Sequence, residues 1–326
     1  MSISRSSIGY LLAAALIAAS GCAAAQDYPS RNLRVLLPVT PGAAADTYAR
    51  IIANGLAAAW GRAAIVDARP GGTGLIATLL VKQAAADGYT LLFTTNSVHI
   101  TGPLLVEPRP FDAVTDFTPI SMAVKFPLYL IAHPSVPART VSEFVAYAKA
   151  RPKQLNFSSS GQGGISHIIA ELFNSTVGIE AVQIPYKGSA PALLAVVGGE
   201  AQYLFNNIGN SQALVLAGKL RGYAVTGSNR NPLYPDIPTF AELGIKGMEV
   251  AQTWFGLVAP SHLPPALVSK LNTEVVRIMN SPEVTKRAVS EGYEVVGNTP
   301  AQFASDMRAE VAAFSRIIKE KGIKAQ

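Results

Sequence analysis

After residue 27, short apolar runs alternate with amphipathic helical stretches along almost the whole chain. Residues 33–37 read as a strand, and Tyr48, Ile52 and Leu56 then mark one face of a helix. The same order of strand, Gly-rich turn and helix recurs at residues 155–173. Strands that alternate with helices are typical of α/β proteins. The sequence therefore predicts an α/β fold with mostly parallel sheets flanked by helices.

The size of the chain predicts more than one domain. It has 326 residues, of which 49% are hydrophobic and 15% charged, enough for two domains with large cores. The repeated strand–turn–helix unit suggests two similar lobes with a cleft between them. We expect residues 27–125 plus 229–326 to form lobe 1 and residues 126–228 to form lobe 2.

The first 25 residues have the features of a secretory signal peptide. Arg5 gives a positive start, residues 8–19 are apolar, and residues 23–25 form a small-residue cleavage site. The only cysteine is Cys22, and residues 19–22 also resemble a lipoprotein processing box, in which Cys22 would carry the lipid. We expect a periplasmic protein secreted by this signal peptide, with a lipid anchor at Cys22 as the alternative.

The charge of the chain is mildly positive. The formal charge is +6, and removal of the leader, which contains Arg5 and no acid, leaves +5. No Lys/Arg run accompanies this excess, so we expect no nucleic-acid partner. A weak attraction for anionic small molecules is the most that this charge supports.

Two Gly-rich turns, each between a strand and a helix, offer a way to bind an anion without a cationic side chain. Ligands of α/β sheets lie at the carboxyl ends of the strands, where a following helix presents free N–H groups and partial positive charge. Gly42 in one turn, and Gly161 and Gly164 in the other, allow close approach of the backbone, and Ser159 and Ser160 add hydroxyl groups. A single such turn is more often structural. Two turns on matched lobes predict a site for a carboxylate or phosphate.

Enzyme and metal motifs are mostly missing from the sequence. The four histidines, His99, His133, His167 and His262, are not at metal-ligand spacing, so we expect no metal and no cofactor. Ser160 and His167 are close enough in sequence to suggest a nucleophile and a base, but no orienting acid lies nearby. A secreted serine hydrolase is therefore the alternative from the enzyme class.

Seven segments resemble, in order, the solute receptors of the tripartite tricarboxylate transporters, the Bug-type or TctC-like family. They span essentially the whole mature chain, and it is their order that makes the resemblance specific. The segments are Tyr28-Pro29-Ser30-Arg31, Pro41-Gly42 with Asp46, Asp87-Gly88-Tyr89-Thr90-Leu91-Leu92, Asp116-Phe117-Thr118-Pro119, Ser159-Ser160-Gly161 with His167, Pro185-Tyr186-Lys187-Gly188-Ser189-Ala190-Pro191 and Trp254-Phe255-Gly256-Leu257.

The resemblance implies a two-lobed periplasmic binding protein, a Venus flytrap, that is not an enzyme. It implies a small carboxylate ligand, held mainly by backbone N–H groups and water from loops at residues 41–46, 94–97 and 159–165. We also expect a monomer whose closed form is recognised by the membrane subunits of a transporter, or alternatively by a membrane sensor. The expected ligand-binding residues are Gly42, Ala43, Asp46, Thr94, Asn96, Ser159, Ser160, Gly161, Gly164, Ile165, His167, Asn206 and Trp254.

Two of these positions depart from the family pattern. Ala43 stands where the family often has a second glycine, which narrows that wall of the site. Asn206 stands where the family often has Asp, which can pair with a ligand ammonium group, whereas Asn carries no charge. We therefore expect a preference for carboxylates without an amino group. Trp254 is equally consistent with stacking on a ligand ring and with filling the core.

Overall fold

The computed structural model describes residues 28–71 and 74–324. Within these ranges lie ten strands and ten α-helices, and a π-type turn, Ser97–Thr101, follows the third strand. The strands are β1 Leu33–Leu37, β2 Ala64–Ala68, β3 Thr90–Thr95, β4 Phe117–Ala132, β5 Asn156–Ser159, β6 Val182–Pro185, β7 Tyr203–Asn207, β8 Arg221–Val225, β9 Gln252–Pro260 and β10 Glu294–Val295. The helices are α1 Ala44–Trp60, α2 Leu75–Lys82, α3 Gly102–Leu104, α4 Val141–Lys149, α5 Ile165–Val177, α6 Ser189–Val197, α7 Ile208–Leu216, α8 Pro265–Met279, α9 Pro282–Ser290 and α10 Pro300–Lys321.

Strand β4 is shared by the two halves of the sheet. Its first part, up to Pro127, pairs with β9, and its last part, from Leu128, pairs with β7 and β8. The strand order is β2-β1-β3-β9-β4-β7-β5-β6, with β8 and β10 also paired to β4. The α/β prediction is confirmed. Pairing is parallel among β1, β2 and β3 and among β5, β6 and β7, but every pairing made by β4 or β9 is antiparallel.

Several helix ends follow directly from the sequence. The Thr140 hydroxyl accepts from the N–H of Glu143 at 3.1 Å at the start of α4, as its spacing predicts. The Thr299 hydroxyl accepts from the N–H of Gln302 at 3.2 Å, and Pro300 occupies the favoured first position of α10. Helix α10 ends at Lys321, and the following Gly322 has a φ of +61°, which suits glycine.

The core is built from the apolar faces that the sequence pattern marks. Tyr48, Ile52 and Leu56 of α1 are buried, and they belong to the same cluster as Val35 of β1 and Leu271 of α8. A larger cluster continues through β4 and α10 into the half of the sheet that contains β5 and β7. Each large side chain that is fully buried contributes about 1.5–3 kcal/mol of hydrophobic free energy. Helix α10 therefore packs against elements of both predicted lobes, including β4 and α5.

Strand β4 is longer than the sequence indicated. The apolar run predicted a strand at 128–132, but the strand begins at Phe117. Pro119, Lys125 and Pro127 interrupt the apolar pattern, and the register with β9 shifts after Pro119, so the first part of the strand has no regular period to detect. Helices α7 and α9 were also not predicted, because each is short and follows its neighbouring element almost directly.

The predicted signal peptide at residues 1–25, with Cys22, lies outside the described residues. Across the part of the chain that the structure describes, no helix combines the length and the apolar character needed to span a bilayer.

Candidate functional site

The loop between β1 and α1 begins at the carboxyl end of a buried strand. Gly42 has a φ of +85°, and its N–H donates to Oδ2 of Asp46 at 2.9 Å. Burial opposes ionisation of Asp46, but the Gly42 N–H and Arg50, 2.9 Å from the other carboxylate oxygen, outweigh it and hold the pKa below its usual value. Asp46 therefore fixes the shape of the loop. Among the described residues no side chain caps α1 at Ala43, so no side chain competes with an anion for the first N–H groups of the helix.

The loop after β3 is held from inside the protein. Thr94 and Asn96 are completely buried. Thr95 Oγ1 accepts from the N–H of Val98 at 3.3 Å, which fixes the start of the π-type turn. The Asn96 side chain donates to the backbone oxygen of Gln252 on β9 at 2.7 Å. In this structure the Asn96 amide is therefore used within the protein, and the loop can contact a ligand through its backbone.

The loops of this half of the sheet pack on one another. Gly74, which opens α2, has a φ of +92°, and a Cβ added there would overlap Val98 of the π-type turn. The same Cβ would lie 3.2 Å from Cβ of Pro38 in the β1–α1 loop. Glycine at this position thus lets the β1–α1 loop, the start of α2 and the π-type turn come into contact.

The loop between β5 and α5 is the second Gly-rich turn. Ser160 Oγ lies 2.9 Å from Oγ of Ser166, and the N–H of Ser160 donates to the same Ser166 oxygen at 2.9 Å. Ser159 Oγ accepts from Gln183 Nε2 at 2.7 Å and donates to the backbone oxygen of Gly161 at 3.1 Å. Helix α5 starts at Ile165, and no side chain of the described residues caps it at Gly164. The loop is therefore rigidly braced, and the first N–H groups of α5 are available.

The turn after β6 packs directly against this loop. The N–H of Tyr186 donates to the oxygen of Ser159 at 3.0 Å, and the N–H of Gly188 donates to the oxygen of Ser160 at 3.2 Å. Gly161 has a φ of +141°, and a Cβ there would lie 3.6 Å from the oxygen of Tyr186. The carboxyl ends of β5 and β6 thus form one continuous rim.

His167 supports the same loop from the first turn of α5. Its Nδ1 accepts from the N–H of Gly163 at 3.0 Å, so the ring is neutral with its proton on Nε2. Burial lowers the pKa of His167 to about 4. Since Ser160 bonds to Ser166 and His167 bonds to Gly163, these two residues do not form the nucleophile–base pair that a serine hydrolase needs.

Gly163 connects the two sets of loops. It has a φ of +70°, and a Cβ added there would overlap Cδ1 of Leu105. Leu105 directly follows α3, in the chain segment after β3. The Gly-rich turn at α5 therefore touches the segment that follows the π-type turn. This contact brings together loops that belong to different predicted lobes.

Asn206 and Trp254 are both buried. Asn206 is buried at the end of β7 opposite Tyr129, and its Nδ2 has no hydrogen-bond partner among the described residues. Trp254 is 1% exposed; its indole N–H donates to Glu310 of α10 at 2.7 Å, and its ring lies 5.0 Å from that of Phe303. Of the two alternatives for Trp254, the structure favours core packing over ligand stacking.

Sequence reasoning missed four residues that hold the candidate loops. Ser166, Gln183 and Leu105 brace the second Gly-rich turn, and Glu310 binds Trp254. Only Glu310 gave a signal, because it is an acid on the apolar face that Phe303, Met307 and Phe314 define on α10. No cluster of three or more His, Cys, Asp or Glu side chains suited to a metal ion occurs in the described ranges.

The model of the tripartite tricarboxylate transporter family receptor, TctC, matches residues 48–323. The chain belongs to this family. BugT of Bordetella pertussis is 32% identical over 318 residues, which are 97% of each protein. The family is one of extracytoplasmic solute-binding receptors and not of enzymes, so the resemblance found in the sequence is confirmed and the hydrolase alternative is set aside.

Solved structures of this family have the same fold. R. palustris Rpa4515, solved with adipate, is 34% identical with a TM-score of 0.74, over 91% of this chain and 99% of that chain. MatC from Rhodopseudomonas palustris, solved with bound malate, is 30% identical with a TM-score of 0.71, over 89% of this chain and 100% of that chain. The predicted architecture of a periplasmic binding protein is thereby confirmed.

Proposed function

We propose that this receptor binds a small dicarboxylate between the β1–α1 loop and the β5–α5 loop. The observation that carries the proposal is that α1 and α5 both begin at the carboxyl end of a strand without a side-chain cap from the described residues. The N–H groups and partial positive charge at each helix start are suited to a carboxylate. Two such starts suit a ligand with a carboxylate at either end. The relatives solved with adipate and malate support this class of ligand.

The candidate residues divide into those that would contact the ligand and those that would position them. We assign direct contacts mainly to the first-turn N–H groups of α1 and α5, since the N–H groups of Gly42 and Ser160 and most of the nearby side chains are used within the protein. Asp46, Asn96, His167 and Trp254 would position these groups through the hydrogen bonds described above. The residues proposed to line the site are Gly42, Ala43, Thr94, Ser159, Ser160, Gly161, Gly164, Ile165 and Asn206.

We further propose that residues 27–125 plus 229–326 and residues 126–228 act as two lobes that close on the ligand. Strand β4 supports this division, because its two parts pair with different sets of strands. The contact of Gly163 with Leu105 would form on closure. The closed receptor, as a monomer, would then be recognised by the membrane subunits of a transporter.

The proposed location is the periplasm. The features of residues 1–25 support export by a signal peptide, and the residues around Cys22 suit a lipid anchor as the alternative. Mass spectrometry of the exported protein distinguishes the two, because cleavage after residue 25 removes Cys22 whereas lipidation retains it as the first residue.

A thermal-shift panel followed by calorimetric titration tests the proposed ligand. The panel contains adipate, malate, a tricarboxylate, an aromatic acid and adipamide, which matches adipate in shape but carries no charge. A ligand at 100 times its Kd stabilises the folded protein by about 2.7 kcal/mol. We expect a shift with a dicarboxylate and none with adipamide. Equal shifts with adipate and adipamide would exclude an anion site, and no shift with any acid on ligand-free protein would exclude the carboxylate proposal.

A further inference from the structure

A buried polar cluster joins the β3 loop, β9 and α10. Its members, Asn96, Trp254 and Glu310, are 0%, 1% and 5% exposed. The Trp254 indole N–H donates to Oε1 of Glu310 at 2.7 Å. Asn96 Nδ2 donates to the backbone oxygen of Gln252 at 2.7 Å. Three separate elements are therefore held together by side chains that do not reach solvent.

Two oxygen atoms of this cluster lack a proton donor. Asn96 Oδ1 and Glu310 Oε2 are buried without a hydrogen-bond partner among the described residues, and the two side chains are neighbours. The bond to Gln252 fixes the orientation of the Asn96 amide, because only Nδ2 can donate to a backbone oxygen. Oδ1 is therefore the amide atom that still needs a hydrogen-bond donor. An ionised Glu310 offers only acceptors, whereas a neutral carboxylic acid carries one proton that satisfies both oxygens.

The surroundings of Glu310 favour the neutral acid. Burial raises the pKa of Glu310 well above its usual value, the hydrogen bond from Trp254 offsets this only in part, and Asp306 on the same helix raises it further. None of these neighbours, Trp254, Asn96 and Asp306, carries a positive charge that would stabilise an ionised Glu310.

The remaining charged groups nearby come from other elements. A cavity of about 260 Å³ borders Glu310 and is also lined by Lys125 of β4, Glu249 before β9 and Asp306. The Lys125 ammonium lies 3.3 Å from Glu294, and its charge is used there. His99, whose ring lies 6.4 Å from that of Trp254, is kept neutral by burial, which lowers its pKa to about 4. Glu310 thus has no ion-pair partner in the described ranges.

We propose that Glu310 is a positioning residue of the ligand site: as a neutral acid, it binds Asn96 and Trp254 and so holds the β3 loop against β9. Asn96 directly precedes the π-type turn Ser97–Thr101, so a displacement of Asn96 moves the backbone of that turn. The inference rests on the proposed function, in which this loop forms one wall of the carboxylate site.

Two substitutions at Glu310 separate its chemistry from its volume. Glu310→Met fills similar space but makes neither hydrogen bond. Glu310→Gln keeps an oxygen that accepts from Trp254 and adds an NH₂ group that donates to Asn96, as the neutral acid does. Glu320→Gln, an exposed position on the same helix, is the matched control.

The readout is the Kd for the dicarboxylate that binds the wild type best, measured by calorimetry at pH 7 on protein shown to be folded. We expect Glu310→Met to weaken binding about tenfold and Glu310→Gln to restore it to within about twofold. Glu320→Gln should bind as the wild type does. The infrared spectrum of the wild type at pH 7 should contain the C=O band of a protonated carboxylic acid, and Glu310→Gln should lack it.

Each outcome decides between the alternatives. If Glu310→Met is less stable but binds with unchanged Kd, Glu310 is only structural and the inference is wrong. If Glu310→Gln binds as weakly as Glu310→Met, or if the protonated band is absent, the neutral-acid role is wrong. These results leave the proposed function standing. A wild type that binds no carboxylate would instead overturn the proposed function and this inference together.

Discussion

The backbone N–H of Gly163 donates a hydrogen bond to Nδ1 of His167 across 3.0 Å. A ring nitrogen accepts only when it carries no proton, so this bond needs a neutral imidazole. Burial lowers the pKa of His167 from 6.5 to about 4, which keeps the ring neutral at pH 7. The side chain that fixes the second Gly-rich turn therefore loses its function only in acid.

Acid should destabilise the protein through this histidine. Because the pKa is lower in the folded state, the unfolded chain takes up the proton first. The contribution to stability is present above pH 6.5 and is lost as the pH falls from 6.5 to about 4. We expect the unfolding midpoint to drop in this window and His167→Asn to reduce the drop, because Asn Oδ1 can accept the Gly163 N–H without titrating.

The comparison needs a second histidine and a control. His99 also has a pKa lowered to about 4 by burial, so His167→Asn should remove only part of the pH dependence. His262→Asn, at an exposed position with a φ of +64°, is the control for the same substitution outside the site. Identical profiles of the wild type and His167→Asn would contradict the prediction.

Gly163→Ala should weaken ligand binding as well as the fold. Its Cβ would overlap Leu105, so the two sets of loops could not approach as they do in this structure. The positive φ of Gly163 adds roughly 1–2 kcal/mol of backbone strain. We expect a Kd at least about tenfold higher, measured by calorimetry with the ligand identified in the thermal-shift panel.

Two further variants separate the steric overlap with Leu105 from the backbone strain at the positive φ. Gly218→Ala has a similar φ of +69° and meets no atom within 4 Å among the described residues, so it should lose stability without loss of affinity. Adding Leu105→Ala to Gly163→Ala removes the side chain that the new Cβ meets and should recover affinity. Failure of this double variant to bind better than Gly163→Ala would show that the contact with Leu105 does not limit binding.

The outer parts of the sheet and the Gly-rich turns were readable from the sequence because each depends on local pattern. β1, α1 and α10 follow apolar periodicity, and Thr140 and Thr299 mark helix starts by spacing alone. The first part of β4 was not readable, since its prolines and shifted register are tolerated only because β9 pairs alongside. Local pattern therefore predicts the regular strands and helices, whereas an irregular strand such as the first part of β4 depends on the strand that pairs with it.

The candidate site shows the same limit. Gly42 and Gly161 were recognisable as turn residues, but the roles of Asn96 and Trp254 depend on Glu310, which is more than 50 residues from either of them. Sequence reasoning could not show that these side chains bond to one another. It consequently assigned them to the ligand site, whereas in this structure the Asn96 amide N–H donates to Gln252 and the Trp254 indole N–H donates to Glu310.

Asn206 should make the receptor prefer carboxylates that carry no amino group. Its amide is neutral, and its Nδ2 is a donor, which cannot pair with a ligand ammonium group. We expect malate to bind at least about tenfold more tightly than aspartate, and Asn206→Asp to narrow that ratio. The assignment would be refuted if aspartate or glutamate bound tightly and the corresponding acids without an amino group did not bind. Asn207→Asp is the control, because it shows whether a negative charge at the neighbouring position narrows the ratio as well.

The ion pair between Lys321 and Glu171 should stabilise the packing of α10 on α5. Lys321 Nζ lies 3.5 Å from Oε2 of Glu171, whose side chain is only 13% exposed. Burial raises the pKa of Glu171, and Lys321 partly offsets the rise. Removing the lysine would leave a largely buried carboxylate without its cation. We therefore expect Lys321→Met to lower the free energy of unfolding by about 1 kcal/mol, since Lys321 itself is partly exposed.

A double-mutant cycle measured by urea unfolding at pH 7 checks this prediction. Glu171→Gln in the Lys321→Met background should recover most of the loss, because the amide needs no cation. The pair of Lys153 and Glu180, 3.6 Å apart with side chains 75% and 60% exposed, is the matched control, and Lys153→Met should change stability by less than about 0.5 kcal/mol. If the two lysine substitutions cost the same, burial of Glu171 adds nothing to its ion pair.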